Sequence, residues 1–134
     1  MDPKSFYAAL RANFSRTFPH TRECGITIDA VDETGARASL PWRPEWLGDS
    51  ERGLLHTGVI TTLVDTISGL AAVAGAQRFE TIATLDLRMD FLRAAVHGKP
   101  LHAHAVCYRL TPSITFVRAA AWQDDVLTAQ HEIS

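Results

Sequence analysis

The feature that most constrains this fold is an almost wholly apolar run, residues 54–75, that contains a single formal charge, Asp65. A helix that is apolar around most of its circumference is normally buried. An ionised carboxylate inside such a helix is costly unless it is paired, hydrogen-bonded or facing a cavity. At about 100° per residue, the small and polar residues fall on one side: Gly58, Thr61, Thr62, Asp65, Ser68 and Gly69. The run therefore predicts a helix buried on three sides, with a carboxylate in the middle of one narrow polar stripe.

The segments on either side of this helix predict an α+β fold. An amphipathic helix over residues 3 to 16 begins at Asp2-Pro3, and alternation over 25–31 and 35–41 predicts a β-hairpin. An irregular loop, 41–53, leads into the central helix. After that helix, alternating residues separated by turn residues predict four strands, 81–93, 100–110, 114–122 and 126–133. Antiparallel strands packed on one long helix form an α+β architecture.

Length, charge and cysteine content exclude several classes of protein. The 134 residues predict one domain, 1–134. A net charge of -2, without a basic cluster, argues against a nucleic-acid partner. No signal-peptide core or long uninterrupted apolar run is present, so we expect no membrane association and a cytoplasmic location. Two cysteines, Cys24 and Cys107, are too few for a disulfide scaffold, and we expect both to be reduced.

The start of the central helix resembles a known family. Residues 55–65 resemble the His-Gly-Gly motif of hotdog-fold acyl-CoA thioesterases. In the phenylacetic-acid-degradation branch an Asp follows the motif histidine by nine positions, as Asp65 follows His56 here. Residues 84–94 resemble the long strand that follows the helix in this family. The resemblance implies a hotdog fold, in which an antiparallel sheet wraps around a long central helix.

The same resemblance implies a substrate and an assembly. The substrate is an acyl-CoA, hydrolysed to the free acid and CoA without a metal or a dissociable cofactor, because coenzyme A is part of the substrate. Two protomers join their sheets edge to edge as a homodimer, with active sites at the dimer interface, and homotetramers are common. Phe79, Phe91 and Leu92 are candidates to shape the acyl pocket, but the sequence does not decide between an aromatic and an aliphatic acyl group.

The resemblance also assigns the central chemistry. Asp65 is the catalytic carboxylate, either as a general base on water or as a nucleophile on the thioester carbon. The alternative is a structural carboxylate that caps a loop or pairs with an arginine. Backbone N–H groups of Thr57 and Gly58 at the helix start can stabilise an oxyanion. The family has glycine at the position of Thr57, and threonine there also suits a plain helix cap.

Three further residues receive supporting roles from the resemblance. His56 holds the loop and the helix start and is less suited to act as a base. Thr84 falls where relatives have a small hydroxyl residue near the hydrolytic water, although it could be an ordinary strand threonine. Ser50 stands where many relatives have Asn or Gln that binds the thioester, and its shorter side chain weakens this assignment.

The remaining candidates would contact substrate. Thr61 and Ser68 would line the polar stripe, unless their hydroxyls bond back to the preceding helical turn. Arg93 is a candidate for the phosphates of coenzyme A, the alternative being a solvated surface arginine. His102 and His104 supply only two ligands, so we expect no metal site.

Three functions are therefore open at this point. The first is an acyl-CoA thioesterase. The second is a hotdog protein that binds acyl-CoA as a sensor or carrier without hydrolysing it, which the departures at Thr57 and Ser50 suggest. The third is a hotdog dehydratase, which is disfavoured because the stripe has no histidine opposite Asp65.

Overall fold

Three α-helices and eight β-strands make up residues 2–124 and 126–133, the part of the chain that the computed structural model describes. The helices are α1 (Pro3–Thr17), α2 (Pro19–Cys24) and α3 (Thr57–Ala76). The strands are β1 (Thr27–Asp32), β2 (Gly35–Leu40), β3 (Leu47–Asp49), β4 (Leu54–Leu55), β5 (Leu87–Phe91), β6 (Leu101–Leu110), β7 (Thr115–Gln123) and β8 (Val126–Ile133). A 3₁₀ turn, Pro44–Trp46, precedes β3.

Six strands form one antiparallel sheet in the spatial order β1-β2-β6-β7-β8-β5. The predicted hairpin is confirmed as β1 and β2, and its turn is closed by the Asp32 carboxylate, which accepts the Thr34 N–H at 2.7 Å. The two short strands β3 and β4 pair separately. This order leaves β1 and β5 as the edge strands of the main sheet.

The long helix α3 packs across one face of this sheet, as the α+β prediction requires. The sheet contributes small side chains, since the alanines that face the helix from β2, β6 and β7 are at most 4% exposed. They are Ala36, Ala38, Ala103, Ala105, Ala119 and Ala121. The helix contributes the bulk through Ile60, Leu63, Ile67 and Leu70. Large side chains facing small ones allow a close approach of helix and sheet without voids.

The apolar character of α3 is accounted for by this packing. With 20 residues and a mean hydropathy of 1.6, the helix could cross a bilayer by length and composition alone. In this fold its large side chains are instead buried against the sheet of the same chain. Burial against the alanine face of the sheet therefore accounts for the apolar composition of α3.

The structure corrects two predicted boundaries. The strand predicted over 81–93 is regular only over Leu87–Phe91, because β8 pairs with these five residues and not with those before them. Leu54 and Leu55 do not start the central helix; they form β4, because they pair with Asp49 and Leu47 of β3. The helix predicted over residues 3 to 16 is observed as α1, and Pro19 begins the short helix α2 directly after its C-cap residue Phe18.

Candidate active site

Asp65 and Thr84 are in direct contact. The Thr84 hydroxyl donates to Oδ1 of Asp65 at 2.9 Å, although the two residues lie on different elements. Asp65 is half-buried in the middle of α3, and Thr84 lies in the irregular segment before β5. No arginine pairs with Asp65 within the described part of the chain, so the structural alternative of an ion pair is not observed. A carboxylate with one hydroxyl donor retains lone pairs that can accept a proton from water.

The first turn of α3 is capped by a side chain. His56 is the N-cap residue, and its Nδ1 accepts the Gly58 N–H at 2.9 Å. A neutral His56 therefore carries its proton on Nε2. The Gly58 amide is occupied, which corrects the prediction that it is a free oxyanion donor. Within the described residues the Thr57 N–H has no hydrogen-bond acceptor, so it is the available donor at this helix start.

The segment before the helix start is held by a short ladder. The Leu55 N–H donates to the Ala95 carbonyl at 2.8 Å, and the His97 N–H donates to the Gly53 carbonyl at 2.9 Å. The His56 N–H donates to the Trp46 carbonyl at 2.8 Å from the other side. The position of the Thr57 amide therefore depends on residues 95–97, which the sequence reasoning did not include.

Gln123 fixes residues 95–97 in turn. Its side chain is 5% exposed, and it accepts the Val96 N–H at 3.0 Å and donates to the carbonyls of Val96 and Lys99 at 2.9 and 3.2 Å. The sequence did contain a signal for this residue. Positions 117, 119 and 121 of β7 face the core, so the alternation places the amide of Gln123 on the buried side.

Replacement of this glutamine by an apolar side chain of similar size tests that role. Gln123→Met removes three hydrogen bonds from a buried side chain to the backbone of Val96 and Lys99, so we expect it to lower the free energy of unfolding by about 2–4 kcal/mol. Urea unfolding followed by circular dichroism measures this loss. Gln77→Met is the matched control, because the Gln77 amide donates one bond of 3.3 Å to the Tyr7 hydroxyl. A control loss as large as that of Gln123→Met would contradict this role.

The other polar residues of the stripe divide into two groups. The hydroxyls of Thr61 and Thr62 donate to the carbonyls of Thr57 and Gly58 at 3.2 and 2.9 Å, which is the back-bonding alternative. Ser68 is fully buried and lines a cavity of about 220 Å³ next to Thr84. Ser68 and Thr84 are therefore brought to the same cavity, whereas Thr61 is not among its lining residues.

The structure does not bring Ser50 or Arg93 to this pair. Ser50 lies in an exposed turn, where the Asp49 carboxylate accepts the N–H groups of Glu51 and Arg52. The Ser50 hydroxyl makes no hydrogen bond within the described residues. Arg93 is exposed after β5 and forms no ion pair in the described part of the chain. Both positions border loops, and their assigned roles stay predictions.

The histidines and cysteines outside the stripe have local partners. His104 Nε2 lies 3.0 Å from the Thr34 carbonyl, and His102 stacks on Trp122. Among the side chains that the structure describes, no group of three His, Cys, Asp or Glu residues could hold a metal ion. Both cysteines are free, as predicted, and burial raises the pKa of the Cys107 thiol. Both cysteines are half-buried.

The family of the chain follows from its sequence over this same region. A family model described as the thioesterase superfamily matches residues 52–130, which include α3, Asp65 and Thr84. The chain belongs to the thioesterase superfamily. A similar protein is the medium/long-chain acyl-CoA thioesterase YigI of Salmonella typhimurium. The two sequences are 25% identical over 122 residues, and the match covers 81% of this chain and 78% of that protein.

Solved structures confirm the fold of this thioesterase-superfamily chain. A Pseudomonas aeruginosa protein is 36% identical, with 96% of each chain covered and a TM-score of 0.82. The Escherichia coli PaaI protein from the phenylacetic acid degradation operon is 17% identical, with 98% of this chain and 93% of that chain covered and a TM-score of 0.85. The predicted hotdog fold, with a sheet around a long central helix, is thereby confirmed.

Proposed function

We propose that this member of the thioesterase superfamily is an acyl-CoA thioesterase, with Asp65 as its catalytic carboxylate. The observation that carries the proposal is the hydrogen bond from Thr84 to Asp65, which holds a half-buried carboxylate beside a cavity. The acyl-CoA thioesterase activity named for the Salmonella relative supports the choice of thioester substrate.

The proposed reaction uses only protein groups, which two copies of this chain supply. Asp65 takes a proton from a water molecule, and the water oxygen attacks the carbonyl carbon of the thioester. The carbonyl oxygen becomes an oxyanion that accepts the Thr57 N–H at the positive end of the α3 dipole. The C–S bond then breaks, and the departing thiolate takes the proton from Asp65. The products are the free acid and coenzyme A, and no metal or dissociable cofactor takes part. Direct attack by the Asp65 carboxylate on the same carbon is the alternative first step.

The spacing of the two groups supports a site shared between two chains. Thr57 and Asp65 are eight residues apart on one helix, a rise of about 12 Å at 1.5 Å per residue. A base and an oxyanion donor must both lie within about 3 Å of the reacting atoms. The Thr57 amide of one copy would therefore act together with Asp65 of a second copy. This is the arrangement that the family resemblance implies for a homodimer.

An exposed apolar edge supports the same assembly. Strand β5 pairs only with β8, so its other edge has unpaired backbone groups within the described chain. Large apolar side chains of the adjacent stretch are exposed, namely Phe79, Ile82, Leu85, Phe91 and Leu92. An apolar edge strand of this kind favours pairing with another sheet. We propose a homodimer that pairs along β5, alone or as half of a homotetramer.

Hydrolysis of a panel of acyl-CoAs, followed with a thiol-detecting reagent, tests the proposed activity. The panel includes butyryl-, octanoyl-, palmitoyl- and phenylacetyl-CoA, and we expect release of free thiol from at least one member. The competing function is binding of acyl-CoA without hydrolysis. The occupied Gly58 amide favours it, because only one of the two predicted oxyanion donors is free. Saturable binding of an acyl-CoA with no thiol release over hours would support the binder and contradict the thioesterase.

A further inference from the structure

Two cavities of different polarity border the stripe of α3. The first, called the hydroxyl cavity, has a volume of about 220 Å³. It lies between α3, the segment before β5 and the β6–β7 turn. Its lining includes five residues that carry hydroxyls, Ser68, Thr81, Thr84, Ser113 and Thr115, together with the apolar Ile82, Leu85 and Ile114. The second, the Trp46 cavity, has a volume of about 270 Å³ and lies between the first turns of α3 and the 3₁₀ turn. Its lining is the more apolar of the two and includes Leu40, Trp46, Leu47 and Val59, beside the polar Glu45, His56 and Thr62.

The Trp46 cavity adjoins the proposed oxyanion donor. His56 and Gly58, the residues on either side of Thr57, both line it. A thioester whose carbonyl oxygen accepts the Thr57 N–H would therefore have its carbonyl carbon at the mouth of this cavity. The hydroxyl cavity borders Thr84, the partner of Asp65, and so lies at the other group required for hydrolysis.

The two arms of an acyl-CoA differ in polarity in the same way. The acyl group has no hydrogen-bonding groups beyond its carbonyl, whereas the arm on the sulfur side carries amides. Burial of hydrocarbon against Trp46, Leu47 and Val59 is favourable, and burial of an amide requires hydrogen-bond partners such as hydroxyls. We infer that the Trp46 cavity binds the acyl group and that the sulfur-side arm runs toward the hydroxyl cavity of the second copy. This inference rests on the proposed thioesterase activity.

The volume limits the acyl group. An apolar cavity of about 150 Å³ is sufficient for a benzene ring. The Trp46 cavity, at about 270 Å³, has room for a phenyl ring with a short linker or for a medium-length alkyl chain. Specificity for the acyl group is therefore assigned to Trp46, Leu47 and Val59. Phe79, Phe91 and Leu92 do not line this cavity.

Reciprocal substitutions test the assignment. Val59→Phe enlarges a half-buried side chain that lines the Trp46 cavity, and Thr115→Phe does the same in the hydroxyl cavity. The measurement is kcat/KM for butyryl-, hexanoyl-, octanoyl- and phenylacetyl-CoA. Each methylene that enters an apolar site raises kcat/KM about fourfold. We expect Val59→Phe to lower kcat/KM for octanoyl-CoA at least about tenfold relative to butyryl-CoA. We expect Thr115→Phe to lower all four values by a common factor.

The possible results separate this inference from the activity on which it rests. If the native protein releases no thiol from any substrate, the proposed function fails. If it is active and Val59→Phe keeps the native chain-length profile, or if Thr115→Phe is the variant that shifts it, the assignment of the cavity is wrong. Leu47→Trp, at the start of β3 where the native residue is 37% exposed, repeats the test if Val59→Phe does not fold.

Discussion

Asp65→Asn is expected to lower kcat for acyl-CoA hydrolysis by about 10²–10⁴-fold, the usual loss on removal of a general base. Asparagine has nearly the same shape and can still accept the hydrogen bond from the Thr84 hydroxyl, so the fold and KM should change little. The amide cannot take a proton from water, and this is the reason for the loss. Steady-state assays with the best substrate of the panel measure it.

A control variant with the same change of charge shows whether the loss of activity is specific to position 65. Asp86→Asn removes a carboxylate from an exposed residue two positions after Thr84, and we expect native kcat and KM. Native activity in Asp65→Asn would contradict the assignment of Asp65. Single-turnover hydrolysis in ¹⁸O-labelled water identifies a nucleophilic Asp65 if the label enters its carboxylate, because general-base catalysis places the label in the acid product alone.

Thr57→Pro is expected to lower kcat by about 10²–10³-fold, the loss measured elsewhere when one oxyanion donor is removed. Proline lacks the N–H but is well tolerated at the first position of a helix. The residue before a proline must be extended, and His56 already has φ -63° and ψ 128°. The substitution therefore deletes the amide proton with little disturbance of α3, and circular dichroism should show an unchanged melting curve.

Two matched variants separate the amide of Thr57 from its side chain. Thr57→Ala and Thr57→Gly keep the N–H and lose the hydroxyl, so we expect both variants to retain kcat within about threefold. Thr57→Gly also restores the glycine that the family motif has at this position. A loss in Thr57→Ala as large as in Thr57→Pro would show that the side chain, and not the amide, is required.

The sequence predicted most of the fold because burial leaves periodic patterns. The apolar run identified α3, and the alternation around Ala103 and Ala105 identified a strand with one buried face. The strand before β6 was predicted too long, because the alternation from Leu85 to Phe91 describes side chains and not the backbone partners of the residues around it. Whether those residues pair depends on a neighbouring edge, which lies outside any local pattern.

The candidate site was predicted in part for a related reason. The Asp65–Thr84 contact joins residues that the family resemblance named, but no spacing in the sequence shows a contact between a helix and a segment nineteen residues later. The occupied Gly58 amide follows from the rotamer of His56, and the role of Gln123 follows from the ladder at residues 95–97. These features depend on tertiary geometry. Only the role of Gln123 had a signal in the sequence, namely a glutamine at an inward position of β7.

Complementation between two inactive variants tests the shared site most directly. Asp65→Asn and Thr57→Pro are co-expressed with different affinity tags, and dimers that carry both tags are purified in sequence. A site that joins the Thr57 amide of one copy with Asp65 of the other is intact once in each mixed dimer, which should therefore show roughly half the native rate. Mixed dimers that are as inactive as the two parent variants would contradict the shared site and would require both groups to act within one chain.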